Sequence, residues 1–245
     1  MTFGFQLIDR DDLPRRLSAE AIGTGMLLAA IVGSGIMADR LSGGNDAIAL
    51  LANTIATAAA LVALILTFGP VSGGHFNPAV SIVDASQGGL RWQDVPAYVL
   101  AQLFGAVLGV WTAHAMFGEQ LFMLSGHARS GPAQLVSEYV ATFGLVSVIQ
   151  GSSRRRADAV PFAVAAYIAA AYWFTASTSF ANPAVTVARA LTDTFAGIRP
   201  ADVPGFIGAQ LAGAATATLL FRWLVPSLPR SAHHVVVARS EVSAP

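Results

Sequence analysis

The chain contains no cysteine and no lysine. The first absence excludes disulfides, thiolate metal sites, cysteine nucleophiles and thiol redox switching. The second leaves all 14 basic positions to arginine, set against 14 acidic residues for a formal net charge of zero. That balance removes nucleic acid and other polyanions as expected partners. Charge of either sign is scarce, at 11% of 245 residues, where a soluble domain carries about a quarter. Apolar residues fill the space instead, at 54%, with a mean hydropathy of +0.59. The composition is that of an integral membrane protein.

A helix needs about 20 apolar residues to cross the hydrocarbon core. Ala21–Ala38, Ala47–Phe68, Val95–Phe117, Ala133–Gln150, Ala159–Phe180 and Val203–Phe221 meet that need, giving six expected spans. Glu138 interrupts the fourth, and Glu20 stands at the edge of the first. Two further stretches, Asn77–Ser86 and Asn182–Thr192, are too short to span and each opens Asn-Pro-Ala. Proline suits the first turn of a helix, where its missing N–H costs nothing. Each stretch therefore reads as a half-helix, able to enter a bilayer only where protein or a watery cavity surrounds it.

An even span number puts both termini on one side. With the termini, the Arg91 loop and the Arg154–Arg156 loop on that side, ten arginines fall there. Only Arg40, Arg129, Arg189 and Arg199 fall on the other. Arginine excess marks the cytoplasm, so both termini are expected inside a plasma (inner) membrane. No apolar run of signal length precedes Arg10, Asp11, Asp12, Arg15 and Arg16, and residues 1–16 read as a cytoplasmic tail. Residues 17–225 read as one membrane domain, and 226–245 as a second short tail.

The membrane domain repeats itself, at about 17–118 and 133–225. Glu20-Ala-Ile-Gly-Thr24 is echoed by Glu138-Tyr-Val-Ala-Thr142, and Asn77-Pro-Ala-Val80 by Asn182-Pro-Ala-Val185. Ala101-Gln-Leu-Phe-Gly-Ala106 returns as Ala209-Gln-Leu-Ala-Gly-Ala214. Three spans per half make the halves antiparallel, an inverted repeat about an axis in the membrane plane. The half-helices then enter from opposite faces and their N-termini meet near the middle.

Ser72-Gly-Gly-His-Phe-Asn-Pro-Ala-Val80 and Ser179-Phe-Ala-Asn-Pro-Ala-Val185, with an acidic residue opening each half, resemble the aquaporin (major intrinsic protein) family. The resemblance covers about residues 17–225. It implies an all-α membrane fold of six helices and two re-entrant half-helices, a homotetramer with one pore per protomer, and no cofactor.

Asn77-Pro78-Ala79 and Asn182-Pro183-Ala184 are then the expected pore motifs. Each asparagine can cap its half-helix and still offer an amide to a solute oxygen, while the facing helix ends repel cations. Glu20 and Glu138 are costly inside hydrophobic spans. A proton relay is one reading. Anchoring of a buried loop, one carboxylate per half, is the other and fits the symmetry, with Gln102 and Gln210 in the same role. The resemblance puts His75 on the inner pore wall. A histidine merely satisfied within its loop is the alternative. His114, His127, His233 and His234 lack metal-ligand spacing, and Gly105–Gly109 reads as a close helix crossing.

Water-conducting relatives continue the second motif with arginine, whereas Val185 stands here. The family register gives Thr57, Ala170 and Ser179 as the other filter positions, all small or medium and uncharged. A wider, more apolar constriction follows, suited to small uncharged solutes. Bacterial relatives lacking the filter arginine resemble a metalloid-conducting branch. The expected solutes are therefore glycerol and trihydroxy metalloids such as arsenite (as arsenous acid), with some water. A water-selective channel is the alternative. Arg189 lies one turn beyond Val185, and its repeat mate is Asp84, which is expected at the opposite vestibule. Arg189 either snorkels to the outer headgroups or leans back toward the filter and partly restores its charge. A coupled transporter would need an acidic residue close after an Asn-Pro-Ala. An enzyme would need a nucleophile–base or metal constellation. A membrane adhesion protein of this fold would have a closed pore.

Overall fold

The structure is a computed structural model describing residues 12–153 and 156–225. Arg10, Asp11, Arg154, Arg155 and the 226–245 segment with His233 and His234 lie outside the described residues. Eight α-helices are described: α1 Leu13–Leu41, α2 Asp46–Ser72, α3 Pro78–Gln87, α4 Val95–Phe117, α5 Pro132–Ser152, α6 Val160–Phe174, α7 Pro183–Arg189 and α8 Val203–Leu224. Six of them, with their short 3-10 leads, are long and apolar enough to cross a membrane, and α3 and α7 are the half-helices.

Local chemistry sets the starts. Asp12 accepts from the Arg15 N–H and Asn45 from Ala47 and Ile48, while Asn77 and Asn182 do the same for the half-helices, with proline in the first turn of each. In each half the first helix packs on the other two, α1 on α2 and α4, and α5 on α6 and α8. The halves join through α2 against α6. Each half-helix also reaches the opposite half, α3 on α8 and α7 on α4.

Glycine permits the tightest crossings. A Cβ on Gly105 would run into the Ala21 carbonyl, one on Gly109 into that of Gly25, and one on Gly213 into that of Tyr139. The Gly105–Gly109 motif thus makes the close α1–α4 contact, and Gly213 repeats it between α5 and α8. Polarity runs inside out. Ile22, Met26, Leu100, Phe104, Leu219 and Trp223 are exposed, while Glu20, Gln102, Glu138 and Gln210 are wholly buried. A protein surrounded by lipid requires that arrangement.

Most helix ends differ from the sequence expectation by a few residues, and three of the differences bear on the interior. Helix α1 begins at Leu13, inside the expected tail, because Arg16 is buried there, donating to the Tyr98 hydroxyl at 2.9 Å and lying 3.4 Å from Asp94. Helix α6 stops at Phe174 rather than Phe180, and α7 stops at Arg189 rather than Thr192. Both errors arise where uncharged loop follows or precedes helix, so hydropathy shows no break. A further repeat landmark also emerges. Arg91…Asp94-Val95-Pro96 and Arg199…Asp202-Val203-Pro204 form matching turns ahead of α4 and α8, bridged Arg to Asp at 3.0 and 2.9 Å.

Candidate functional site

The approach to each half-helix is a loop buried in the membrane domain, and its backbone must find partners inside the protein. Glu20 supplies them in the first half. Its Oε1 accepts from the Ser72 hydroxyl (2.6 Å) and the His75 N–H (2.9 Å), and its Oε2 from the Phe76 N–H (2.7 Å) and Gln102 Nε2 (2.7 Å). Glu138 does the same in the second half, accepting from the N–H groups of Phe180 and Ala181 (both 2.9 Å) and from Gln210 Nε2 (2.6 Å). Gln102 also donates to Ser81, and Gln210 to Thr186, which ties each anchor to its half-helix.

The residue before each asparagine is held left-handed, Phe76 at φ 48° and Ala181 at φ 48°. A side chain makes that conformation costly, by about 1–2 kcal/mol. The bonds to Glu20 and Glu138 offset the cost and turn both carbonyls toward the opposite half. Asn77 Nδ2 donates to the Ala181 carbonyl at 2.8 Å, and Asn182 Nδ2 to the Phe76 carbonyl at 2.7 Å. Each asparagine oxygen meanwhile caps its own helix, at 2.9 Å to Ala79 N and 3.0 Å to Ala184 N. A primary amide has two N–H donors. One is fixed across the dyad, and the second has no partner among the described residues.

One cavity is lined by both asparagines and also by His75 and Arg189. Thr57, Ser179 and Val185 line it; Ala170 does not. Ala170 is exposed on the outer side of α6, and Ile168 and Tyr172, one turn apart, face the cavity in its place. Of the four expected filter residues, Ala170 is thus the one that the fold does not bring to the cavity. Counting back from Asn182 fails because seven residues, Thr175–Ala181, leave the helix before the motif. The Tyr172 hydroxyl donates to Thr57 Oγ1 at 3.3 Å, and the Ser179 hydroxyl is buried without a partner among the described residues.

Arg189 does not reach for headgroups. It is 3% exposed and lines the cavity, with its Nε bonded to the Ala196 carbonyl and its guanidinium 3.5 Å over the Phe180 ring centre. Asp84 is also buried, with an oxygen 3.4 Å from His75 Nε2, while His75 Nδ1 meets Ser81 Oγ at 3.1 Å. His114 is tied to Thr192 at 2.8 Å, away from the cavity. Sequence reasoning missed Phe180, Tyr172, Ile168 and Arg129. Phe180 was findable, since it occupies in the second repeat the position His75 holds in the first.

Six crossing helices, an inverted repeat and two capped half-helices meeting over a continuous cavity define the aquaporin-like class of membrane protein. Comparison with known sequences and structures places it further. The sequence model of the family described as Major intrinsic protein matches residues 8–166 and 150–244. The chain is 58% identical over 219 residues to aquaglyceroporin AqpS of Rhizobium meliloti (strain 1021), covering 89% of this chain and 94% of that protein. It is 36% identical over 139 residues to aquaporin NIP1-1 of Zea mays, covering 56% and 48%. The X-ray structure of the aquaglyceroporin from Plasmodium falciparum superposes with a TM-score of 0.67 at 18% identity, covering 89% of this chain and 99% of that one, a likeness of fold. The chain belongs to the major intrinsic protein family, whose members are membrane channels.

Proposed function

We propose that the protein is a passive channel for small uncharged solutes, glycerol and trihydroxy metalloids such as arsenite foremost, with some water. The observation that carries the reading is the outer end of the cavity, where Val185 follows the second Asn-Pro-Ala and shares the wall with Thr57 and Ser179. A small apolar residue leaves room for a carbon backbone, and the hydroxyls opposite serve a polyol's oxygens. At mid-pore the free N–H of Asn77 and of Asn182 replaces hydrogen bonds a solute leaves behind in water. The 58% identity to a protein called an aquaglyceroporin supports the same solute class. Glu20 and Glu138 act as loop anchors in this reading, since backbone N–H groups occupy both oxygens of each.

The functional unit is a homotetramer in a lipid bilayer, the inner membrane of a bacterial cell, with both termini cytoplasmic. Purified protein in liposomes tests the solute. An inward glycerol gradient should give fast reswelling relative to empty liposomes, and arsenite uptake should follow. Fast shrinkage with no reswelling would instead establish the second reading, a water-selective channel, which the buried guanidinium of Arg189 on the pore wall favours.

A further inference from the structure

We infer that Arg189 is the specificity-determining cation of this pore, standing one helical turn outward from Val185, and that Phe180 and Arg129 position it. The inference deepens the channel reading and rests on it. Arg189 carries five N–H donors, of which the Nε bond to Ala196 is the one found among the described residues. No carboxylate pairs with it there, and it lines the cavity at 3% exposure. Inside a membrane domain an unneutralised cation is expensive and marks a functional position. What holds it in place is the face of Phe180, a favourable seat for a guanidinium.

Arg129 comes from the loop joining the two repeats and lies over the same ring, at 5.2 Å. Its Nε donates to the Gly197 carbonyl at 2.8 Å, and its backbone N–H to Asp202 at 2.8 Å. Arg129 thus ties the Arg189-bearing segment to the ring that seats Arg189. The two-fold mates of Phe180 and Arg189 are His75 and Asp84, which touch each other at the inner end. The repeat therefore brings the same two positions together in both halves, but only Arg189 of the two charged residues lines the cavity, Asp84 being turned to His75. A neutral solute crosses both ends. A cation or proton meets Arg189 in a passage with little water to screen it.

The test is proton entry into liposomes holding the full-length protein and a pH-sensitive dye, driven by a potassium diffusion potential. Reswelling is run in parallel in glycerol and in a five-carbon polyol. Arg189→Gln should raise proton entry by about tenfold or more, the scale of one unit charge removed from a poorly screened passage. Arg189→Lys, which keeps the charge, should stay near the parent. Val185→Arg combined with Arg189→Gln should restore proton exclusion and slow the larger polyol. Phe180→Leu, which keeps both arginines, should leak to an intermediate degree and covers the case where Arg189→Gln does not reconstitute. Proton entry within twofold of the parent in an osmotically active Arg189→Gln channel, or in Phe180→Leu, would overturn the assignment. Failure of the parent to pass glycerol while Arg189→Gln leaks protons would sink the solute reading and leave this one standing.

Discussion

Replacing Glu20 by glutamine tests whether the buried carboxylates are anchors. Glu20 is wholly buried and accepts four hydrogen bonds, two on each oxygen. A glutamine must place an NH2 where one oxygen stood. Turned toward Oε2 it faces the Phe76 N–H and Gln102; Gln102 can flip, since its own oxygen has no partner, but the Phe76 N–H cannot. Turned toward Oε1 it faces the Ser72 hydroxyl, which can rotate, and the His75 N–H, which cannot. Either way one backbone N–H is orphaned, costing about 1–3 kcal/mol, and the surviving bonds lose their charge assistance. The sum is about 2–4 kcal/mol, which for a chain of this size lowers the thermal midpoint by about 5–15 °C. Glu138→Gln should lose a similar amount, because Phe180 and Ala181 present one N–H to each of its oxygens. Thermal unfolding in detergent followed by size-exclusion chromatography measures both, with reswelling reporting whether the pore asparagines stay aligned. A Glu20→Gln protein that melts within about 2 °C of the parent would refute the anchoring argument. If that stable variant also lost a pH-dependent flux, a proton relay would take its place.

Gly109→Val and Gly213→Val should each destabilise the protein by about 1–3 kcal/mol or more, since backbone carbonyls occupy the space a Cβ needs; the same melting assay reads it. Ala170→Leu should leave solute flux within about twofold, being on the outer side of α6, whereas Ile168→Trp should block the cavity it lines. Reswelling distinguishes the two, and a block by Ala170→Leu would restore the sequence register. His127, in the loop before α5, has its imidazole pushed below the ordinary range by burial first, then by Arg129 and Arg189. A lowered histidine pKa means the folded state binds fewer protons than the unfolded one. Its contribution to stability is therefore constant above the ordinary imidazole range and declines as pH falls through that range toward the folded pKa. Histidine NMR should find its midpoint low, and Arg189→Gln should raise it.

The scaffold was legible because its determinants are local or repeated. Uncharged runs gave the spans, proline after asparagine gave the half-helix starts, and paired Glu20/Glu138 and Gln102/Gln210 marked the places where buried loops need partners. Glycines at 105 and 109 announced a close crossing. What escaped depends on how loops fold. Thr175–Ala181 is as uncharged as the helix before it, so nothing in its composition marks the end of α6, and the register chosen there fell on Ala170 rather than on the cavity-lining Ile168 and Tyr172. The repeat singles out Phe180, but its contact with Arg189 could not be read, because Phe180 and Arg129 reach Arg189 from separate loops. Arg16 looked like tail because charge near a terminus ordinarily faces water; Tyr98 and Asp94, far along the chain, draw it in.

The crossed amides of Asn77 and Asn182 bear on how the protein is made. The first repeat leaves the ribosome before the second exists, yet among the described residues the Phe76 carbonyl has its partner in the later half, and the Ala181 carbonyl in the earlier one. A lone repeat would hold an unmet carbonyl at mid-membrane, where no solvent is at hand to satisfy it. Neither α3 nor α7 can settle before the other arrives, so the last step of maturation is one mutual closure rather than two independent insertions. A chain cut between α4 and α5 should accordingly yield working channels from the two pieces made together, and none from either piece made alone.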